Sequence, residues 1–409
     1  MYSIYCLGVS LARDLRITDV KTYPLSAPRG VDISRPDHYL PYWRELAEAG
    51  VRRNFYSLLV EVIASDGSSG WGEAIVREVP TAHREIIDRL FKPIIIGQDA
   101  LAIEDLWQRM FAALKTRGHV AGYFIEALAG VDMALWDLAG KAMGLPMYRM
   151  LRGPTMSRLR AYASSIYWHY LEGFSERDFV REVERLAEAG FEQVKIKIGF
   201  EKMVKIRGFT IENILRAVRD SLGYDLEVMV DANSAYSVGE AIRVGRILER
   251  YEVTWFEEPI PPYMVEGYRE LRRRLGVMIA GGESLFTKYQ FQDFIRRKAL
   301  DVLQPDIARV GVTEFVKIAY IAEAEGLYIA PHTGLSGPGC RAAAIYASAA
   351  IPRETFLTYE YMYKRDNPLA EEIPEKPIEV IDKGYIVVPR EPGIGFKPRR
   401  ASIEKYMYI

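Results

Sequence analysis

The chain has 409 residues, 49% hydrophobic and 27% charged, with a formal net charge of -1. That balance argues against a nucleic acid or an anionic membrane surface as the main partner, and no apolar run is long enough to span a bilayer. Cys6 and Cys340 alone leave neither a disulfide framework nor a Cys-rich metal site, so a reducing, cytoplasmic setting is expected.

Residues 1–11 are apolar but lack a basic flank and a small-residue cleavage site, so residues 1–16 read as an extension or an early start rather than a signal peptide. A β-branched strand is expected at 17–24. A polar, Pro-rich stretch follows over about 25–54, carrying Tyr39, Tyr42 and Trp43, and is expected to act as a lid. Residues 55–64 and 70–75 alternate apolar and polar around Ser65-Asp66-Gly67-Ser68, the pattern of a hairpin. Helical periodicity then covers 81–91, 102–114 and 123–143, the last closed by Gly144-Leu145-Pro146. Strands followed by helices predict an α+β domain over 17–153. Asn and Gln together number ten, while Arg, Glu, Ile and Tyr abound, a bias that fits a thermophile.

Beyond residue 153 the chain alternates. Short apolar strands are expected at 159–163, 193–197, 227–231, 254–257, 278–280, 302–304, 328–330 and 356–359, with amphipathic helical stretches such as 175–189, 237–251 and 312–325 between them. Eight strands with intervening helices predict an α/β fold, a TIM-type (β/α) barrel over 154–368. Residues 369–409, rich in Pro and Gly with one strand-like run at 385–388, are expected to return to the first domain.

Chemistry in such barrels sits at the C-terminal strand ends. Those ends carry Lys197, Asp231, Glu257, Glu283, Asp306, His332 and Glu360, spaced by 34, 26, 26, 23, 26 and 28 residues, one βα unit each. In Val194-Lys195-Ile196-Lys197-Ile198 the two lysines project to one side. By itself that is a common solvated strand face, but two adjacent ammonium groups also disfavour one of the charges. Asp231, Glu257 and Glu283 aimed at one point need a cation to neutralise them, and with no Cys or His among them Mg²⁺ is favoured over Zn²⁺. The alternative is that each caps the helix after its strand. Glu258 is expected on the opposite side or in the Pro259 turn, without a metal role. Asp306 beside His332 fixes the imidazole tautomer and raises its basicity.

At these residues the chain resembles the enolase superfamily, specifically its mandelate racemase branch. The resemblance runs from Ile17 to about Phe396. It is carried by Ala129-Gly130-Val131-Asp132-Met133-Ala134-Leu135-Trp136-Asp137, Lys195-Ile196-Lys197, Asp231-Ala232-Asn233, Glu257-Glu258-Pro259, Gly282-Glu283, Gln304-Pro305-Asp306, Pro331-His332 and Glu360. It implies Asp231, Glu257 and Glu283 as Mg²⁺ ligands and Lys197 as one base, its pKa lowered by Lys195. It also implies an opposing Asp306/His332 acid–base pair, and Glu360 as a hydrogen-bonding partner of a substrate carboxylate. A capping domain with a substrate-selecting loop and a homo-oligomeric assembly are implied too. The expected reaction is α-proton abstraction from a small carboxylate through an enediolate, ending as dehydration of an acid sugar. Racemisation or epimerisation of a 2-hydroxy acid, or a non-catalytic binding barrel, are the alternatives. Tyr167, Trp168, His169, Asn233, Tyr236, Arg309 and Tyr361 are candidate substrate contacts.

Overall fold

In the computed structural model, residues 15–29, 45, 49, 54–151, 153, 155–166, 175–199, 210–363 and 367–408 are described. The alternating segments near the start form an antiparallel sheet, ordered β1 (Ile17–Pro28), β2 (Asn54–Ala64) and β3 (Ser69–Val76). Gly67, at φ +83°, makes the β2–β3 turn. β1 runs past the expected strand end, pairing Leu25 with Ser57 and Pro28 with Asn54, because Ser26 and Pro28 fit an edge strand. The first four residues of the expected lid, and its last, are therefore strand, and 30–44 lie outside the described residues. Leu15 and Arg16, read as extension, are also tied in: Leu15 is buried and accepts the Ala100 N–H at 2.8 Å, and Arg16 bridges Asp99.

The helix Tyr123–Met143 lies across this sheet and ends where Gly144 turns left-handed. Gly70 and Gly72 let it approach: a Cβ on Gly72 would sit 2.0 Å from the Gly130 carbonyl oxygen. Its other side packs on the helix Ile307–Ala324, so most of its residues are buried. The helix expected at 81–91 runs instead as Pro80–Ile86, a π-helical turn Ile87–Phe91 and Lys92–Ile95.

Among the described residues eight parallel strands follow. They are β4 (Arg158–Ile166), β5 (Gln193–Lys197), β6 (Glu227–Asp231), β7 (Trp255–Glu257), β8 (Met278–Gly281), β9 (Val302–Leu303), β10 (Tyr328–Ile329) and β11 (Tyr359–Met362). They pair in chain order from β4 to β10, and β11 pairs with β4. Between β10 and β11 the ring is joined by one parallel bridge, Ile329 to Phe356, rather than a ladder. The last strand therefore starts three residues later than its apolar run suggested; the run is consumed by this bridge and by the approach to it. Among the described residues seven helices connect the strands, with Ser175, Thr210 and Ser237 capping three of them through side-chain oxygens. Val194, Ile196 and Ile198 face the surrounding helices, while Tyr162, Met229, Trp255, Ala280, Val302 and Ala330 form a separate buried apolar cluster inside the barrel.

The tail adds β12 (Ile381–Asp382) and β13 (Tyr385–Val387), the latter antiparallel to β4. It then crosses to the first sheet and the helix on it: Ile394 N–H donates to Asp137 of the helix at 2.9 Å, and Tyr408 N–H donates to the Pro24 carbonyl at 2.7 Å. Among the described residues no helix is long and apolar enough to cross a membrane.

Candidate active site

The strand register decides which side chains meet. Lys197 pairs with Asp231, and Asp231 with Glu257, so three ionisable groups stand side by side at the strand ends. Asp231, Glu257 and Glu283 each bring an oxygen to within 4.8 Å of the others. None caps a helix. The helix after β6 is capped by Ser237, and those after β7 and β8 start at Met264 and Thr287.

The triad fits an oxygen-ligated cation. A hard ion with ligands at about 2.1 Å needs oxygens roughly 3–4 Å apart, a small contraction from what is found. Glu283 Oε2 is buried without a hydrogen bond among the described residues, at 3.1 Å from His332 Nε2. Burial pushes Glu257 up to about 7, with Asp231 and Glu360 adding to the push and Lys195 opposing it, the signature of a carboxylate short of positive charge. Two lysines supply positive charge beside Glu257 and Asp231. Lys195 Nζ lies 2.7 and 2.9 Å from the Glu257 oxygens and 2.9 Å from Glu360, while Lys197 Nζ is against Asp231 and donates to Asn233 Oδ1 at 2.9 Å. Burial opposes the Lys195 charge, but Glu257 and Glu360 outweigh it and hold this ammonium far above the usual lysine range. Lys195 is thus the fixed cation of the pair. Gln304 and Trp255 also donate to Glu257 Oε2, at 2.7 and 3.1 Å.

Across the mouth, Asp306 does two jobs. Oδ1 accepts the Ala308 N–H at 2.9 Å and starts the helix Ile307–Ala324, and Oδ2 accepts Nδ1–H of His332 at 2.9 Å. Nε2 is thereby left to face the cavity. Burial alone would depress the imidazole, yet Glu283, Glu360 and Asp306 raise it to about 9. Glu360 accepts from Ser164 Oγ at 2.7 Å and from the Thr333 and Gly334 amides at 2.8 and 3.1 Å. Against the upward push of burial, Lys195, His332 and the Thr333 amide keep it ionised.

Of these groups, Lys197, Glu283, His332 and Glu360 line a cavity of about 380 Å³. Asn233 and Arg309, two of the expected contacts, line it; Tyr167, Trp168 and His169 lie outside the described residues. Tyr236 does not face it. Its ring is buried edge-on to Phe256, centroids 6.1 Å apart. Tyr361 also points away, stacked on Phe191 at 5.7 Å, because it alternates with the inward Glu360. Glu258 lies in the turn after β7 at φ +35°, and it lines the cavity rather than the strand's far side. Burial and the neighbouring Glu283 push its carboxyl well above the usual carboxylate range. Sequence reading missed Arg77, which reaches the cavity from the end of β3. No spacing rule ties a residue of the first domain to a barrel mouth; its position at a strand end is the only local hint.

A TIM-type barrel under an α+β cap, with three carboxylates and two candidate bases at the strand ends, defines a carboxylate-handling architecture. Residues 178–402 match the family described as enolase C-terminal domain-like, and residues 44–152 match the mandelate racemase / muconate lactonizing enzyme N-terminal domain. The chain belongs to the mandelate racemase / muconate lactonizing enzyme family of the enolase superfamily. It is 32% identical to an arabinonate dehydratase of Saccharolobus solfataricus, over 95% of this chain and 99% of that protein. It is also 32% identical to a D-galactarolactone cycloisomerase of Agrobacterium fabrum, over 85% and 90% of the respective chains. Among solved structures, the 3,6-anhydro-D-galactonate cycloisomerase of Zobellia galactanivorans superposes with a TM-score of 0.80 at 27% identity, covering 96% of this chain and all of that one.

Proposed function

We propose that this protein is a Mg²⁺-dependent hydro-lyase that dehydrates an acid sugar, an aldonate or aldarate, to its 2-keto-3-deoxy acid. The observation that carries the proposal is the pairing of Lys197 and His332. They stand on β5 and just after β10, on different sides of one cavity with the carboxylate triad between them. The all-oxygen donor set favours Mg²⁺ on Asp231, Glu257 and Glu283, where it would supply positive charge to a substrate carboxylate as negative charge builds on its oxygens.

The chain's own groups do the rest. Lys195, buried and charged, adds a fixed positive field beside the same oxygens. Glu360 offers the carboxylate a hydrogen-bonding neighbour, held in place by Ser164 and the Thr333 and Gly334 amides. Lys197 Nζ accepts the α-proton. His332 Nε2, its other nitrogen engaged by Asp306, delivers a proton to the hydroxyl leaving the next carbon, so that water departs. The Saccharolobus arabinonate dehydratase supports this reading. A second reading follows from the two cycloisomerases. The same α-proton removal with a ring oxygen as leaving group would make the enzyme an isomerase. With Mg²⁺, a panel of hexonates, pentonates and aldarates should yield at least one 2-keto acid, and excess chelator should abolish its formation. A panel that yields none, while lactones or anhydro-sugar acids are isomerised, would establish the second reading instead.

A further inference from the structure

One wall of the cavity carries positive charge that the proposed chemistry does not use. Arg77 lines it from the end of β3, and Arg309 from the first turn of the helix Ile307–Ala324. The Arg77 guanidinium has no hydrogen bond or ion pair among the described residues, although Arg309, Glu283, Asp306 and Glu126 all lie within electrostatic reach. Arg309 donates Nη1 to Glu126 at 2.9 Å, while its Nε is buried with no partner among the described residues. Its guanidinium is fixed over the Phe286 ring at 5.2 Å, and Glu126 is held from behind by His83 at 3.0 Å. Two guanidinium groups set near each other repel, and the buried Arg309 Nε costs free energy unless something accepts from it. A cation loaded on the triad would cancel part of the Glu283 charge and leave this wall more positive still.

The geometry points to an anion subsite formed by Arg77 and Arg309, which receives the far end of a substrate whose first carboxylate lies at the triad. The substrate then carries a second anionic group, the other carboxylate of an aldarate or a terminal phosphate, and not a terminal CH₂OH. Guanidinium donors match either oxyanion through paired N–H groups. This inference rests on the acid-sugar reading above.

The test uses the Mg²⁺-loaded full chain and six-carbon acid sugars of matched configuration. They differ only at C6, as CH₂OH, carboxylate or phosphate ester, and 2-keto acid formation is measured. Expected is a kcat/KM at least about tenfold higher for one of the anionic forms, the preferred arm identifying its source. Arg77→Gln should erase that preference, lowering kcat/KM for the preferred anionic form at least about tenfold more than for the CH₂OH form. Calorimetric affinity for the preferred anionic sugar in a Lys197→Ala background should fall in parallel when Arg77→Gln is added. Equal or better turnover of the CH₂OH series, or an equal loss on all three in Arg77→Gln, would overturn the subsite and leave the dehydratase reading standing. No turnover of any form would defeat the dehydratase reading itself.

Discussion

Lys195 and Lys197 occupy one strand two residues apart, yet their surroundings separate them. Lys195 is enclosed by Glu257, Glu360 and Tyr162 and is held charged, whereas Lys197 sits at the cavity edge against Asp231 and Asn233. If Lys197 and His332 are both used, Lys197→Ala and His332→Asn should each lower kcat by about 10²–10⁴-fold or more with folding intact, as circular dichroism and single-turnover assays would show. Substantial turnover retained by one variant would mean that only one face of the substrate is worked. Asp306→Asn should act through His332. It should lower kcat less than loss of the imidazole does and displace the acid–base limb of the kcat profile, a change that loss of a helix cap alone would not produce. The carboxylates, lysines and histidine were legible in sequence because each ends a strand one βα unit from the next. Tyr236 and Tyr361 were misread because local backbone direction and strand alternation, not proximity in sequence, decide which way a residue near a strand end points, whereas Glu258 does lie in the turn before Pro259, one of the two placements expected for it.

Elements rather than residues explain how the cap grips the barrel. The helix Ile307–Ala324 breaks at Gly311, where φ is 75° and ψ 172°, and restarts under a borrowed cap. Asp132, from the first domain, accepts the Thr313 N–H at 2.9 Å and its hydroxyl at 2.5 Å. A Cβ on Gly311 would meet Asp132 Oδ2 at 2.8 Å. Periodicity suggested a helix starting at 312, which is where its second half does begin; the first half, set by Asp306, was invisible to it. Burial raises Asp132 to about 7 despite the Thr313 hydrogen bonds. A carboxyl whose folded pKa lies above its unfolded value contributes stability that is full below about 4 and lost as pH rises through about 7. Urea unfolding of the wild type should therefore weaken between pH 4.5 and 8 relative to Asp132→Asn, and a constant difference across that range would contradict the assignment.

At the scale of the molecule, two further carboxylates of the first domain reach across the interface. Glu73 accepts the Gly339 N–H at 2.7 Å at the start of the helix Pro338–Ala350, just past the loop that bears His332 and Thr333. Asp137 accepts the Ile394 N–H of the returning tail. Gly337 has no room for a side chain, since a Cβ would fall 1.6 Å from Glu73 Oε1. Gly337→Ala should cost about 1–3 kcal/mol and lower activity with the metal triad intact, measured by thermal unfolding alongside kcat. Arg77 belongs to the same pattern: cap and barrel share one site, so a residue distant in sequence from the strand ends completes it. The barrel was readable from its alternation, but these crossings were not, because they depend on how two units dock. The central claim, that Lys197 and His332 work on a carboxylate held at the Asp231, Glu257 and Glu283 triad, is tested most directly by proton NMR in D₂O with Mg²⁺ and a panel of acid sugars. The account predicts loss of the C2 proton together with a 2-keto-3-deoxy product carrying deuterium at C3. Retention of the C2 proton in every acid sugar tried would contradict it.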